Sequence, residues 1–107
     1  MTATKYDQAK PDLSILPKTP LEEIAKVMAF GAAKYGRGNW REGMAWSRYV
    51  SAALRHTFAF NENEDIDPES GLLHLAHAAC NLLFLMEYYR YELGQDDRRK
   101  DLKSGQI

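Results

Sequence analysis

Glu64-Asp65-Ile66-Asp67-Pro68-Glu69-Ser70-Gly71-Leu72-Leu73-His74-Leu75-Ala76-His77-Ala78-Ala79-Cys80-Asn81 is the stretch on which the reading of this chain turns. Its second half is apolar enough for a core helix, yet carries two histidines and an asparagine. Its first half crowds carboxylates around a helix start. Buried polar groups are costly unless paired, so the row requires a partner: another side chain, a water, a metal or a substrate. Ser70, His74, His77 and Asn81 follow one another at steps of four, three and four, which on an α-helix puts them on one face. Asp67 is expected to cap this helix, with Pro68 at its first position and Glu69 in the first turn. Gly94 is expected to end it near Leu93.

Upstream, Ser47 is read as the cap of a second helix over 48–61, with Tyr49, Val50, Ala53, Leu54, Thr57 and Phe58 as its apolar side. Thr19, Pro20 and Glu22 have the form of a capping box. They open a first helix that carries Leu21, Ile24, Val27, Met28 and Gly31 and stops near Tyr35, before Gly36 and Gly38. On this helix Glu22 faces Lys26 at i,i+4. Residues 1–18, interrupted by Pro11 and Pro17, read as an extended N-terminal arm. Residues 19–94 form the helical domain, and 95–107 a charged, flexible tail. The fold class is all-α, a small helical bundle. The third helix is apolar on nearly every side between Leu72 and Met86. That predicts a homo-oligomer, although the central helix of a monomer is the simpler structural reading.

The 107 residues suit one domain, and an apolar fraction of 45% excludes global disorder. Fourteen basic against fifteen acidic residues leave a net charge of -1, without the basic excess of a polymeric nucleic-acid binder. No long apolar run or leader pattern is present, so no membrane partner is expected and a cytoplasmic location is. Cys80 is the sole cysteine, which excludes an intrachain disulfide, and it reads as core.

Three constellations can carry chemistry. Glu62, Glu64, Asp65, Asp67 and Glu69 offer the oxygen donors that Mg²⁺ or Mn²⁺ prefers, against a bland reading as caps and solvated charges. His74 and His77 can bind a metal, donate to phosphate or move a proton. Arg48, Ser51 and Arg55 share a face of the second helix, with His56 beside it, and a guanidinium fork suits phosphate oxygens. In Lys34-Tyr35-Gly36-Arg37-Gly38-Asn39-Trp40-Arg41 an aromatic ring can stack on a base, an amide can read a base edge and cations can meet phosphates. One of Trp40 and Trp46 is expected in the core.

Lys5-Tyr6-Asp7-Gln8, Lys10-Pro11-Asp12-Leu13-Ser14, Phe30-Gly31-Ala32-Ala33-Lys34-Tyr35-Gly36 with Asn39-Trp40, Leu54-Arg55-His56, and Glu64 to Asn81 together resemble the phage dATP/dGTP diphosphohydrolase family (MazZ-like) over roughly residues 5–90. The resemblance implies metal-dependent hydrolysis of purine deoxynucleoside triphosphates to the monophosphate and pyrophosphate, in phage 2-aminoadenine nucleotide metabolism. By similarity such enzymes are grouped with the MazG-like all-α NTP pyrophosphohydrolases, which are Mg²⁺-dependent helical oligomers. The wider MazG pattern places ExxE on one helix and ExxD on the next. Here the second helix offers Ser51, Arg55 and His56, and the third offers His74 and His77, so ligands do not transfer from MazG itself. The expected site is therefore Glu64, Asp65, Asp67 and Glu69 for Mg²⁺ or Mn²⁺; Arg55, His74 and His77 as catalytic residues; and Lys34, Tyr35, Asn39, Trp40, Arg48 and Asn81 for substrate. The alternatives are a non-catalytic nucleotide- or protein-binding helical module, and another metal-dependent phosphohydrolase on a helical bundle.

Overall fold

A computed structural model describes residues 10–99; the arm residues 1–9 and the tail residues 100–107 lie outside the described part. Three α-helices make the fold: α1 over Lys18–Tyr35, α2 over Trp46–Asn61 and α3 over His74–Tyr91. Short 3₁₀ turns at Leu13–Ile15 and Asn39–Glu42 punctuate the connections. Two isolated bridges, Ala45 with Gln95 and Ile66 with Leu73, are the only β pairings among the described residues.

α3 is the central element. α2 packs along it most extensively and α1 packs on its other flank. Val27 from α1 meets Ala76 and Cys80 from α3, with Ile24, Met28 and Leu73 around them. Trp46 and Tyr49 from α2 meet Tyr88, with Trp40, Met44, Leu85 and Leu93 around them. Phe84 belongs to both clusters and ties the two contacts into one core. Because α1 and α2 both lean on α3, a cleft opens between them with α3 as its floor.

The boundaries correct several expectations. α1 begins at Lys18 behind Pro17, with no side-chain cap, so the Thr19–Glu22 box is not formed. Lys26 pairs with Glu23 at i,i+3 (3.0 Å) rather than with Glu22. α2 begins at Trp46, and Ser47 is not its cap. Its first turn is capped from fifty residues away: the Ser47 amide donates to Asp97 Oδ1 (2.9 Å) and the Ser47 hydroxyl to Asp97 Oδ2 (2.5 Å). These bonds hold the Asp97 carboxyl below its ordinary pKa, the Ser47 hydroxyl first. The segment read as a free tail is thus tied down at its start. Trp46 N–H donates to the Gln95 carbonyl (2.9 Å), Gln95 N–H to the Met44 carbonyl (3.2 Å), and Trp46 Nε1 to the Leu93 carbonyl (2.7 Å). Gly94 permits this approach: at φ 65° a Cβ there would lie 2.2 Å from the Met44 carbonyl oxygen. α3 itself ends at Tyr91, two residues before Leu93.

The largest correction is the start of α3, at His74 and not at Pro68. Gly71 breaks the helix by adopting φ 73°, a conformation that glycine enters without steric cost. Asp67 still caps, but it caps a local turn. Its Oδ2 accepts from the Ser70 amide (2.9 Å) and hydroxyl (2.8 Å), and its carbonyl accepts from Gly71 N–H (2.8 Å). The loop then folds back, with Asp67 N–H on the Leu72 carbonyl (2.8 Å) and His74 N–H on the Asp65 carbonyl (2.9 Å).

On α2, Tyr49 and Ala53 are buried, whereas Val50, Leu54 and Phe58 stay exposed and are not core. On α3, Leu75, Leu82, Met86 and Tyr89 form an exposed apolar row. Helical phase puts it on the side away from the cleft-lining His77 and Phe84. No helix of the described residues is long and apolar enough to cross a membrane.

Candidate functional site

The cleft between α1 and α2 encloses about 1020 Å³, at the upper end of the usual range for small-molecule pockets. α1 supplies Phe30, Lys34 and Tyr35. The glycine-rich loop supplies Arg37, Asn39 and Trp40, and α2 supplies Arg48, Tyr49, Ala52 and His56. Glu69 comes from the folded-back loop, and His77, Asn81 and Phe84 from α3. Every residue expected to bind substrate — Lys34, Tyr35, Asn39, Trp40, Arg48 and Asn81 — lines it. Arg37 and His56 line it as well, and neither was among the expected site residues.

The loop over 36–45 is held down by a buried pair of tyrosines. The hydroxyls of Tyr88 (2.5 Å) and Tyr49 (3.1 Å) both donate to the Trp40 carbonyl. Burial first, then Tyr88, pushes the Tyr49 phenol far above its ordinary pKa, so it stays protonated. Trp40 stacks on Phe84 (4.5 Å between ring centres), and the Arg41 guanidinium lies 4.9 Å from its ring. Arg41 in turn pairs with Glu87 (2.6 Å). Trp46 is the fully core tryptophan, and Trp40 is the half-buried one, with its π surface already engaged. The Tyr35 ring remains 63% exposed at the mouth. Lys34 stands beside it, 3.5 Å from Glu69 across the cleft. Its pKa is raised, first by the Tyr35 hydroxyl.

At the other end of the cleft three histidines gather. The His56 ring stacks on His77 (4.4 Å, 9°) and its Nδ1 is 2.8 Å from His74 Nδ1. His74 Nε2 meets Glu64 Oε1 at 2.6 Å. His77 Nε2 meets Ser70 Oγ at 2.7 Å and Asp67 Oδ2 at 3.6 Å. Ser70 therefore joins the histidine row from the loop rather than from the helix. Asn81 donates its side-chain amide to the His77 carbonyl (2.8 Å). Because a carboxylate only accepts, His74 carries its proton on Nε2. Ser70 gives its hydroxyl proton to Asp67, so it accepts from His77 Nε2–H. These assignments follow from the network of partners.

Burial lowers the pKa of His56, helped by His77 and His74, and burial likewise lowers that of His77 against the pull of Asp67. Both rings are neutral at pH 7. Burial pushes the Asp67 carboxyl up, but the Ser70 bonds and the two imidazoles outweigh it and leave it below its ordinary value. Burial raises the Cys80 thiol to about 11, so it is inert.

The expected cage of carboxylates does not form. Glu64 is turned to His74, Glu69 to Lys34, and the Asp65 side chain is exposed. Among the described residues, Asp67 alone of these carboxylates joins a donor cluster, with His56 and His74, whose ligand atoms lie within 4.8 Å of one another. One carboxylate and two imidazoles fit a divalent ion, with different preferences from an all-oxygen set. Arg55 lies outside the cleft, exposed and bonded to Ser51 Oγ (2.7 Å).

Residues 1–98 match the family model described as "dATP/dGTP diphosphohydrolase, N-terminal". The chain belongs to this family. A relative from Salmonella phage PMBT28, described as dATP/dGTP diphosphohydrolase, is 41% identical over 99 residues. That alignment covers 92% of this chain and 34% of the relative, so the chain spans about a third of the relative's length. No solved structure matches it. The family region takes in the whole cleft and every histidine.

Proposed function

We propose that this chain binds a purine deoxynucleoside triphosphate in the α1–α2 cleft and hydrolyses it to the monophosphate and pyrophosphate, serving phage 2-aminoadenine nucleotide metabolism. The carrying observation is the convergence of Lys34, Arg37 and Arg48, from three different segments, on a cleft that ends at neutral His56 and His77. Flexible cations meet the phosphates, as electrostatic stabilisation of phosphoryl chemistry requires. Tyr35 offers an exposed ring for the base, and Asn39 an amide for its edge. His77, with Nε2–H committed to Ser70, keeps Nδ1 as a lone pair for the proton of an attacking water. A divalent ion, Mg²⁺ or Mn²⁺, belongs to this reading. When bound, it supplies charge neutralisation and a polarised water, and the histidine–Asp67 cluster is where the donors for it are gathered.

The apolar row Leu75, Leu82, Met86 and Tyr89 supports a homo-oligomer with α3 at the contact, which light scattering tests: a monomer at micromolar concentration refutes it. The activity test is incubation of the purified chain with dATP, dGTP, dCTP and dTTP, with and without Mg²⁺ or Mn²⁺, and identification of products. Monophosphate and pyrophosphate from the purine substrates are expected. Because the chain matches only about a third of its relative, a nucleotide-binding module acting beside another domain is the second reading. Saturable binding with no turnover would favour it.

A further inference from the structure

The sequence points to Mg²⁺ or Mn²⁺ on the Glu64–Glu69 carboxylates with a histidine as a further candidate ligand, and the donors that converge are one carboxylate and two imidazoles. We propose that His56 Nδ1, His74 Nδ1 and Asp67 form a two-imidazole, one-carboxylate site for a divalent transition ion, Mn²⁺ through Zn²⁺, which binds there in preference to Mg²⁺. The proposal deepens the hydrolase reading by naming the ion class that its site selects.

The geometry carries it in three ways. First, the two Nδ1 atoms are 2.8 Å apart. Two nitrogens each about 2.1 Å from one ion and at right angles stand about 3.0 Å apart, so the rings are nearly at the spacing of neighbouring ligands. Second, His74 is held as metal-bound histidines are held. Its outer nitrogen donates to the Glu64 carboxylate (2.6 Å), which fixes the tautomer and leaves the Nδ1 lone pair pointing at His56. The ring is buried, so this orientation is not shared with bulk solvent. Third, Asp67 is anchored by one oxygen only. Ser70 donates twice to Oδ2, and Oδ1 makes no hydrogen bond among the described residues. The anchored carboxylate holds one oxygen within 4.8 Å of the imidazole nitrogens.

Without an ion, His56 Nδ1–H fills the gap by donating to His74 Nδ1. Binding asks His56 only to shift its proton to Nε2. The charges of Asp67 and Glu64 balance those of a divalent ion. Imidazole nitrogens favour borderline transition ions, whereas Mg²⁺ prefers oxygen and sheds water reluctantly. Three protein ligands leave open positions for water or a phosphate oxygen. His56 lines the cleft, so the cluster touches the cavity through that ring.

The test uses the full chain, stripped with chelator, and no nucleotide. Co²⁺ titration is followed by its visible absorption, and Mn²⁺ binding by loss of the free-ion resonance signal. One equivalent of each is expected to bind, with Mg²⁺ displacing Mn²⁺ only at tenfold excess or more. His56→Gln and Asp67→Asn should each abolish the Co²⁺ spectrum, with helicity by circular dichroism retained. Glu64→Gln should keep the stoichiometry and weaken affinity about 10- to 100-fold. No bound equivalent, an unchanged spectrum in a folded His56→Gln or Asp67→Asn, or displacement of Mn²⁺ by equimolar Mg²⁺ each overturns the site. Should one variant unfold, the other decides. A normal Co²⁺ spectrum without dNTP turnover would remove the hydrolase and leave the metal site standing, and turnover without the spectrum would do the reverse.

Discussion

The antiparallel pair α2–α3 buries polar side chains at both of its ends, and the two ends solve the problem differently. At the aromatic end, Tyr49 and Tyr88 aim their hydroxyls at one fixed acceptor, the Trp40 carbonyl. At the histidine end, His56, His74 and His77 hold each other, Ser70, Asp67 and Glu64. The Tyr49 phenol, its pKa raised by burial, keeps its proton, so this lock does not change across physiological pH. Imidazoles, two of them (His56 and His77) of lowered pKa, have donors and acceptors that can be reassigned by a proton or an ion. The aromatic end is built for stability, and the histidine end for exchange.

Four measurements can break or sharpen that contrast. Tyr88→Ala should have the largest effect. The side chain is fully buried, and truncating a buried aromatic costs about 3–5 kcal/mol, a large share of the 5–15 kcal/mol stability of an ordinary domain. Urea denaturation should show it; a loss near zero would mean that the loop anchor is dispensable. Next, His77→Ala should lower dNTP turnover about 100-fold, with less effect on the urea midpoint than Tyr88→Ala. Equal damage to both quantities would make the histidine end a second lock. Third, Tyr88→Phe keeps the packing and removes one donor to Trp40, so about 1 kcal/mol of stability should go, and turnover should stay within twofold. Smallest, Arg55→Ala should alter neither stability nor kcat noticeably, since its guanidinium bonds to Ser51 on the exposed side of α2. A tenfold fall in kcat would return Arg55 to the site.

The contrast also has a pH form. The folded pKa values of His56 and His77 are lowered, so below about pH 6.5 the unfolded chain takes up protons that the folded one refuses. In metal-free protein, stability should hold above that pH and fall as pH drops through it. Asp67, also lowered, contributes stability above its ordinary value and loses it at still lower pH. His77→Gln should flatten the first fall, and Tyr49→Phe should leave it unchanged. A flat profile in the parent chain would contradict the assigned neutral histidines.

What the sequence disclosed is what local rules govern. Hydrophobic spacing located three helices, and the glycines after Tyr35 closed the first one. The row His74, His77, Asn81 emerged as one face, and the cation-rich loop emerged as cleft lining. What it hid depends on contacts distant in sequence. No local rule makes Asp97 the cap of α2. Gly71 was a local signal overridden by the Asp67-Pro68 start, and it moved the helix by six residues. His56 was the costliest omission. Tyr49, Ala53 and His56 follow one another at steps of four and three, which continues the buried face. The wider apolar stripe through Val50, Leu54 and Phe58 concealed which side α3 covers. Arg55, one residue earlier, turns a helix face away.

α1 and α2 stand like the two legs of an arch, each braced on α3, with the span between them open. A triphosphate reaching from Lys34 on one leg to Arg48 on the other would act as a keystone, joining two helices whose main bracing runs through a third. Substrate would then be a structural member of its own enzyme. Saturation at about 100 times Kd adds about 2.7 kcal/mol to the folded state. Part of that gain should surface as slower amide exchange in the first turns of α1, the leg with the lesser bracing, far along the helix from Lys34.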